Sequence, residues 1–416
     1  MQRDFWPSSD PPFAQTREQA LRRLGEFAQT ASRYSRERNH VMVGHPNVSR
    51  LSPAIRHRLI TEWEVAQSVL DRYAFSTVEK FLQEIYWRRY WKSWLSMRPQ
   101  VWSQYLGDLE DLRGSEGWER AQEVIDDGGP VGVMNDFAAE LRETGYLHNH
   151  ARMWFAAYWV HTLQLPWQLG ADFFFRHLLD SDPASNTLSW RWVAGLQTPG
   201  KSYLARRSNL EKYLATEIIQ KNPEGLELLE NPSPLLMGPI SRIPANPATS
   251  DPSLAQTEQG RVGLWIHEED LLAGELLRER HFEQVFITGD LQAWNQRGFS
   301  EVKQKWLTSA LADTQHRCQQ LYGQQVRLEI TSEISEGLIQ WAEEAKLQTV
   351  IALRPEVGLV HDGLSEIEQR LAQRGVALLL VDREEDLQLA PFGKAGFFPF
   401  WKKVSPIVRA LGSLSR

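Results

Sequence analysis

The chain has 416 residues, 42% of them hydrophobic and 24% charged, with a formal net charge of -7. That is the composition of a soluble globular protein, and the length exceeds what one typical core accommodates, so two domains of moderate size are expected. A single cysteine, Cys318, excludes an intramolecular disulfide framework, and with no signal peptide or long apolar run the expectation is a cytoplasmic protein without membrane attachment.

Charge and indole are unevenly spread. Residues 1–225 hold 27 Lys+Arg against 27 Asp+Glu, whereas residues 226–416 hold 19 against 26. The balanced half is the better candidate for touching a polyanion, because the acidic half repels phosphate, and neither half has the basic excess of a sequence-reading DNA binder. Of the 17 Trp, 12 precede residue 226, so the special demand for indole belongs to the first half.

From Thr16 to about Leu214 the pattern is helical almost throughout. Thr16 is a candidate N-cap with Glu18 in the first turn. Apolar residues then recur at helical spacing near 54–70, 76–96, 131–145, 147–164 and 168–179. Residues 222–260 change character, with seven prolines among Ser, Asn, Thr and Gly, and read as an extended, partly mobile inter-domain linker.

Beyond it, strand-length apolar runs at 262–266, 284–288, 326–330, 349–353 and 376–381 alternate with helical stretches near 270–280, 300–322, 335–346 and 364–374. Alternation of this kind predicts a five-stranded parallel sheet covered on both faces, a Rossmann-like α/β domain. Neither a G-x-G-x-x-G fingerprint nor a phosphate-binding loop follows the first strand, so the domain need not bind a nucleotide.

The most informative stretch runs from Leu147-His-Asn-His-Ala-Arg-Met-Trp154 through Leu165-Pro-Trp167 and Leu179-Asp-Ser-Asp-Pro-Ala-Ser-Asn186 to Ser189-Trp-Arg-Trp192. A buried flavin needs that combination, carboxylates and amides for the polar edge of its ring and indoles close enough to pass it electrons. The stretch closely resembles the flavin-binding core of the photolyase and cryptochrome family, in which flavin adenine dinucleotide sits folded in an all-helical domain.

The resemblance assigns residues one by one. Asn47-Val-Ser-Arg-Leu-Ser-Pro53 resembles the family's pyrophosphate-holding segment at a helix start, with Ser49, Arg50, Leu51 and Ser52 in place and Val48 replacing a hydroxyl. Tyr34 and Arg88 join the cofactor set. Arg152 matches the arginine that lies against the flavin, Asp180 and Asp182 the pair that contacts the ribityl chain and the N3 edge, and Asn186 the residue facing N5. Without the resemblance, Asp180 reads as a helix C-cap, Asp182-Pro183 as a turn, and the serines as a helix cap.

Glu84, Trp87, Arg88 and Trp91 fall on one helix face, and a Glu within an aromatic stripe is not ordinary core. Glu84, Trp87, Asn149, Met153 and Trp192 match the residues that line the cavity for a flipped-out cyclobutane pyrimidine dimer. The paired histidines of a (6-4) photolyase are missing from those positions, and His150 reads as structural or exposed. Trp190 and Trp167 match the proximal and middle members of the family's electron relay, with Trp102 and Trp118 both open as its surface member. Arg88, Arg89, Lys92, Arg206 and Arg207 are candidates to grip phosphates flanking the lesion, against the plainer reading of solvated charge.

The order of the halves is the reverse of the family's. Gly263-Leu-Trp-Ile-His-Glu-Glu-Asp-Leu271 resembles the family's opening strand, and Phe397-Phe-Pro-Phe-Trp-Lys-Lys403 resembles the segment between its domains. The segment expected next appears instead as Tyr34-Ser-Arg-Glu-Arg-Asn39. The implied layout is a circular permutation: a helical FAD-binding domain over 1–221, the linker 222–260, an α/β domain over 261–390 and a segment 391–416 resembling the family's inter-domain region. The alternative is an unrelated α/β domain fused to a flavin domain.

The implied activity is light-driven DNA repair by a deoxyribodipyrimidine photolyase. Excited reduced FAD passes an electron to the dimer, the ring splits and the electron returns, while the partner is dimer-containing DNA and the protein is expected to be a monomer. The alternatives are a cryptochrome-like blue-light photoreceptor without repair and a flavoprotein whose light chemistry is vestigial. The resemblance extends to an antenna chromophore, a folate or deazaflavin, on the α/β domain. Glu268 and Glu269 stand where the opening motif usually carries arginines, which points to an absent or different antenna.

Overall fold

In the computed structural model, described here for residues 13–198, 202–235, 243–246 and 260–412, helices fill the first part of the chain and a parallel sheet the second. The helical half comprises α1 (Arg17–Ala28), α2 (Tyr34–Glu37), α3 (Ser52–Arg56), α4 (Glu62–Leu70), α5 (Phe75–Ser96), α6 (Gln100–Leu112), α7 (Glu116–Asp126), α8 (Gly132–Thr144), α9 (Asn149–Ala157), α10 (Trp167–His177), α11 (Pro183–Val193), α12 (Arg207–Tyr213) and α13 (Thr216–Lys221). Thr16 caps α1 as expected, its hydroxyl accepting from the Gln19 amide at 3.2 Å.

Three expected helices are shorter than their patterns. The run 54–70 divides into α3 and α4, because Arg58 adopts φ 54 and a capping box of Thr61 and Glu64 restarts the helix. The run 147–164 is α-helical only to Ala157 and closes in a π turn, Tyr158–Thr162, where the Leu163 amide reaches back to the Tyr158 carbonyl at 2.9 Å. Near 270–280 only Ala273–Leu276 (α14) is helical. Residues 222–235, expected within an extended linker, instead pack on the helical half. Leu226 and Leu229 are buried, Asn222 donates to the Gly132 carbonyl at 3.0 Å, and the Gly132 amide donates to the Glu224 carbonyl at 2.9 Å. Most of the remaining linker lies outside the described residues.

The strands β1 (Val262–His267), β2 (Gln284–Asp290), β3 (Val326–Thr331), β4 (Thr349–Leu353) and β5 (Ala377–Val381) form one parallel sheet in the order β3-β2-β1-β4-β5. β1 and β4 are buried along their whole length, which is why they read as unbroken apolar runs. The helices between and after the strands are α15 (Leu291–Gln296), α16 (Glu301–Tyr322), α17 (Ile334–Glu344), α18 (Leu359–Ala372), α19 (Glu384–Leu389) and α20 (Phe397–Leu411). On one face α17 and α18 cover Trp265, Phe286 and Trp341 in a core of their own. On the other, α16 joins the sheet to the core of the helical half, its Trp306 donating to the Ala14 carbonyl at 3.1 Å.

The chain's last described helix returns to the helical half. Trp401 of α20 donates to Glu79 at 3.0 Å and stacks near Phe75, and Tyr90 donates to the Ala395 carbonyl at 2.7 Å. Leu411 ends beside α1, lining a groove with Leu21, Leu24 and Gly25. Among the described residues no helix is long and apolar enough to cross a membrane.

Candidate flavin site

Helix α11 packs against both α5 and α9, and the three carry most of the residues singled out from the sequence. The turn Leu178–Asp182 between α10 and α11 presents two buried aspartates. Asp180 forms a two-pronged ion pair with Arg152 of α9 at 3.0 Å on each side, and Asp182 pairs with Arg88 of α5 at 2.7 Å. Burial raises the pKa of both carboxyls, but the neighbouring cations outweigh it: Arg152 and Arg88 for Asp180, Arg88 with Lys92 and Arg56 for Asp182. The net shift of each is downward, and both are carboxylates at neutral pH. Asp182 is also the N-cap of α11, accepting from the Ser185 amide at 2.8 Å, with Pro183 opening the helix. Its local role as a cap and its pairing with Arg88 therefore coexist.

Asn186, buried one turn along α11, donates to the Ala171 carbonyl at 2.8 Å. Arg88 also reaches the Ser52 carbonyl at 3.5 Å, tying this cluster to the start of α3. There Ser52 opens the helix ahead of Pro53, Arg50 sits at φ 57, and the Ser49 hydroxyl accepts from the Leu51 amide at 3.4 Å. Arg23 of α1, not singled out from the sequence, donates to the Ser49 carbonyl at 3.0 Å. Burial, and then the Arg23 charge, lower Arg50 to about 10, so this end of the site is an environment that an anion would relieve. Tyr34 lies edge-on to Phe27 and Phe81.

Two buried polar atoms of this region, Ser185 Oγ and Asn47 Oδ1, have no hydrogen-bond partner. Buried polar atoms are rarely left so, and here they accompany paired cations and carboxylates. The residues present therefore fit a large polar ligand with an anionic end, as FAD is. Asp180, Asp182, Arg152 and Asn186 would hold its ring, and Ser49, Arg50, Ser52 and Arg23 its phosphates.

The expected substrate residues border the same region. Glu84 and Trp87 of α5 are half-buried, as are Met153 and Trp192, and Asn149 is exposed. Glu84 pairs with Arg38, so this carboxylate within the aromatic stripe is not unpaired. His150 is structural: its ring bridges the Asn39 carbonyl at 2.8 Å and the Tyr203 hydroxyl at 3.2 Å, and Tyr203 lies 5.9 Å from the Trp192 ring. Arg38, the arginine of the Tyr34–Asn39 segment, thus belongs to this rim, as does Tyr203, which nothing in its local pattern marked. Trp87 stacks on Phe397 of α20, with ring centroids 3.8 Å apart and 10° between planes.

Several expectations do not survive. Arg89 and Lys92 are not available to DNA phosphates, since both are buried beneath the α/β half, Arg89 on Asp386 and Glu356 and Lys92 on Glu356 at 2.9 Å. Arg88 is committed to Asp182, and Arg207 pairs with Glu211 and Glu230, both at 2.8 Å. Of that set only Arg206 is exposed without an ion pair among the described residues. Trp102 is not at the surface either. It is buried and donates to Asp362 at 2.8 Å, whereas Trp118 is half-buried. Trp190 and Trp167 are buried on α11 and α10, with Tyr105 between Trp167 (5.6 Å) and Trp102 (5.5 Å).

Glu268, Glu269 and Asp270, at the carboxyl end of β1, turn inward. Glu269 forms a two-pronged pair with Arg56 at 2.6 and 2.7 Å, Asp270 one with Arg383 at 2.6 and 2.7 Å, and Glu268 accepts from Trp294 at 2.6 Å. The crevice above β1 and β2 is reduced to a cavity of about 10 Å³ lined by His267, Glu268, Thr288, Asp290 and Trp294.

These features define an all-helical layer, with a buried arginine–aspartate cluster that fits a flavin, joined to a parallel α/β layer. Residues 81–213 match the family model of the FAD binding domain of DNA photolyase. A deoxyribodipyrimidine photo-lyase of Streptomyces griseus is 28% identical over 197 residues, 47% of this chain and 43% of that protein, and a cryptochrome DASH of Vibrio parahaemolyticus is 26% identical over 182 residues, 42% and 38%. The crystal structure of a class III photolyase from Agrobacterium tumefaciens matches 48% of this chain and 42% of that one, with 25% identity and a TM-score of 0.40. The chain spans less than half the length of these relatives. The likeness thus lies in the helical half, where residues 81–213 match the FAD binding domain of DNA photolyase and the chain is similar to photolyases and cryptochromes.

Proposed function

We propose that the protein repairs cyclobutane pyrimidine dimers in DNA by light-driven electron transfer. The observation that carries this reading is the placement of the rim residues relative to the flavin-holding ones. Glu84 lies one turn before Arg88 on α5, Asn149 and Met153 flank Arg152 on α9, and Trp192 follows Asn186 and Trp190 on α11. The rim residues thus stand on the same three helices, α5, α9 and α11, as the residues proposed to hold the flavin. FAD held by Arg152, Asp180, Asp182 and Asn186 would supply light-driven one-electron chemistry at the inner end of this rim.

The residues of the chain do the rest. Trp87, backed by Phe397, and Trp192 offer ring faces for a flipped-out dimer, and Glu84 and Asn149 offer hydrogen-bonding groups to its bases. Trp190 and Trp167 lead inward as relay members, with Tyr105 stacked on Trp167. The flanking phosphates meet few cations once Arg89 and Lys92 are removed from that role, which favours the second reading, a photoreceptor of cryptochrome type.

Repair of an oligonucleotide carrying one thymine dimer, with flavin-reduced protein in blue light and in darkness, decides between them. Light-dependent restoration is expected. A protein with a normal flavin spectrum and reversible photoreduction that restores nothing in the light is a photoreceptor.

The order of the halves we read as a circular permutation of the family's. Leu411 ends beside α1, so the family's connection from the inter-domain segment into the helical domain has room to be remade. A chain rejoined from residue 416 to residue 1 and opened within 247–259 is expected to fold and bind FAD; an insoluble product that binds none counts against permutation.

A further inference from the structure

Lys303 belongs to the first turn of α16, in the α/β half, yet its ammonium group serves the helical half. It is 1% exposed and donates to the Phe175 carbonyl and the Ser181 hydroxyl, each at 2.8 Å. Its nitrogen lies 3.4 Å from the centroid of the Phe299 ring and 4.7 Å from that of Phe175, and no carboxylate lies within ion-pair distance among the described residues. Burying an amine this way is costly unless its hydrogen bonds are needed where they are made.

Their position shows what they hold. Helix α10 ends at His177, so the Phe175 carbonyl is among those without a partner in the helix, at the negative end of its dipole. The Ser181 hydroxyl, accepting from Lys303, lies 2.9 Å from that carbonyl and 3.0 Å from the Leu178 carbonyl, which fixes the turn leading out of α10. Ser181 stands between Asp180 and Asp182. On its other side Arg56 donates to the Ser181 carbonyl at 3.3 Å, and Arg56 is itself gripped by Glu269 of the α/β half. Gly358, after β4, closes on Pro183 so tightly that an added Cβ would stand 2.7 Å from its Cγ.

We infer that Lys303 is a positioning residue for the flavin: by closing the end of α10 and anchoring Ser181, it sets the attitude of Asp180 and Asp182. The α/β half thereby completes a site whose ligand-facing residues all lie in the helical half. The inference rests on the flavin reading of the two aspartates.

The test uses the full-length protein with Lys303→Met, Lys303→Arg, Ser181→Ala and, as a surface control, Lys305→Met. FAD dissociation is followed by recovery of flavin fluorescence, the midpoint potential of bound flavin by dye equilibration, and folding by far-ultraviolet circular dichroism. Lys303→Met and Ser181→Ala are expected to weaken FAD binding roughly tenfold or more and to shift the potential. Lys303→Arg should recover part of both, and Lys305→Met should change neither. Should Lys303→Met not fold, Ser181→Ala, which removes only a hydroxyl, carries the test. Folded variants that hold FAD with the parent's affinity and potential overturn the inference. A parent protein that takes up no FAD overturns the flavin reading instead.

Discussion

Two clusters of buried charge lie back to back in this protein and differ in what they leave open. In the helical half Arg152–Asp180 and Arg88–Asp182 share their region with buried polar atoms that have no hydrogen-bond partner, at Ser185 and Asn47. At the junction with the α/β half, Arg56–Glu269, Arg383–Asp270, Arg58–Asp386 and Trp294–Glu268 take up one another, and the remaining cavity holds about one water. Charged residues alone therefore do not distinguish a ligand site from a joint. The difference is in how fully the charges are taken up: at the joint each of these carboxylates has a partner from across the chain, and the Nε of Arg89 is left over. The acidic start of the α/β half, open to reading as a damaged antenna site, is one side of that joint.

The comparison breaks most sharply if the two clusters respond alike to loss of an arginine. Arg56→Met strands the buried Glu269 carboxylate and is expected to lower the unfolding free energy by about 3–5 kcal/mol, measured in urea. A loss under about 1 kcal/mol would mean the joint is no more than a surface pairing. Arg152→Met removes a charge-assisted contact that faces the flavin region, so about 1.5–3 kcal/mol should appear in FAD affinity. Unchanged affinity in a folded variant would remove Arg152 from the site.

A smaller effect separates the clusters by pH. Burial, and then the charge of Glu269, push Glu268 up to about 7, so the folded protein keeps a proton that the unfolded chain releases near pH 4.3. That contribution to stability is complete below the unfolded value and is lost as pH rises through about 7. Glu268→Gln stays neutral throughout. Its stability relative to the parent should therefore climb between about pH 4.3 and 7 and level off above, by up to about 1.4 kcal/mol per pH unit. A pH-independent difference would mean that Glu268 is already ionised in the folded joint. Asp180 and Asp182, shifted the other way, should give the flavin cluster the opposite slope, at acid pH.

Periodicity in the sequence was enough for the five strands, the helical first half and the long helices α5 and α16, because each repeats its buried positions at a fixed spacing. The resemblance to the photolyase and cryptochrome family brought Asp180, Asp182, Arg152 and Asn186 forward as a set, where local pattern alone read a cap, a turn and a helix face. What only the tertiary structure decided is which charges meet. Arg89 and Lys92 share a helix face with candidates for DNA contact, and nothing in that helix reveals that an α/β layer lies over them. Glu268 to Asp270 find their partners up to 213 residues away, as Glu269 does in Arg56. Lys303 reads as one more lysine in an amphipathic helix until α16 is seen against the end of α10. Local spacing fixes the face a side chain occupies, whereas its partner depends on which other face the fold brings to it, and for a buried charge the partner decides its role.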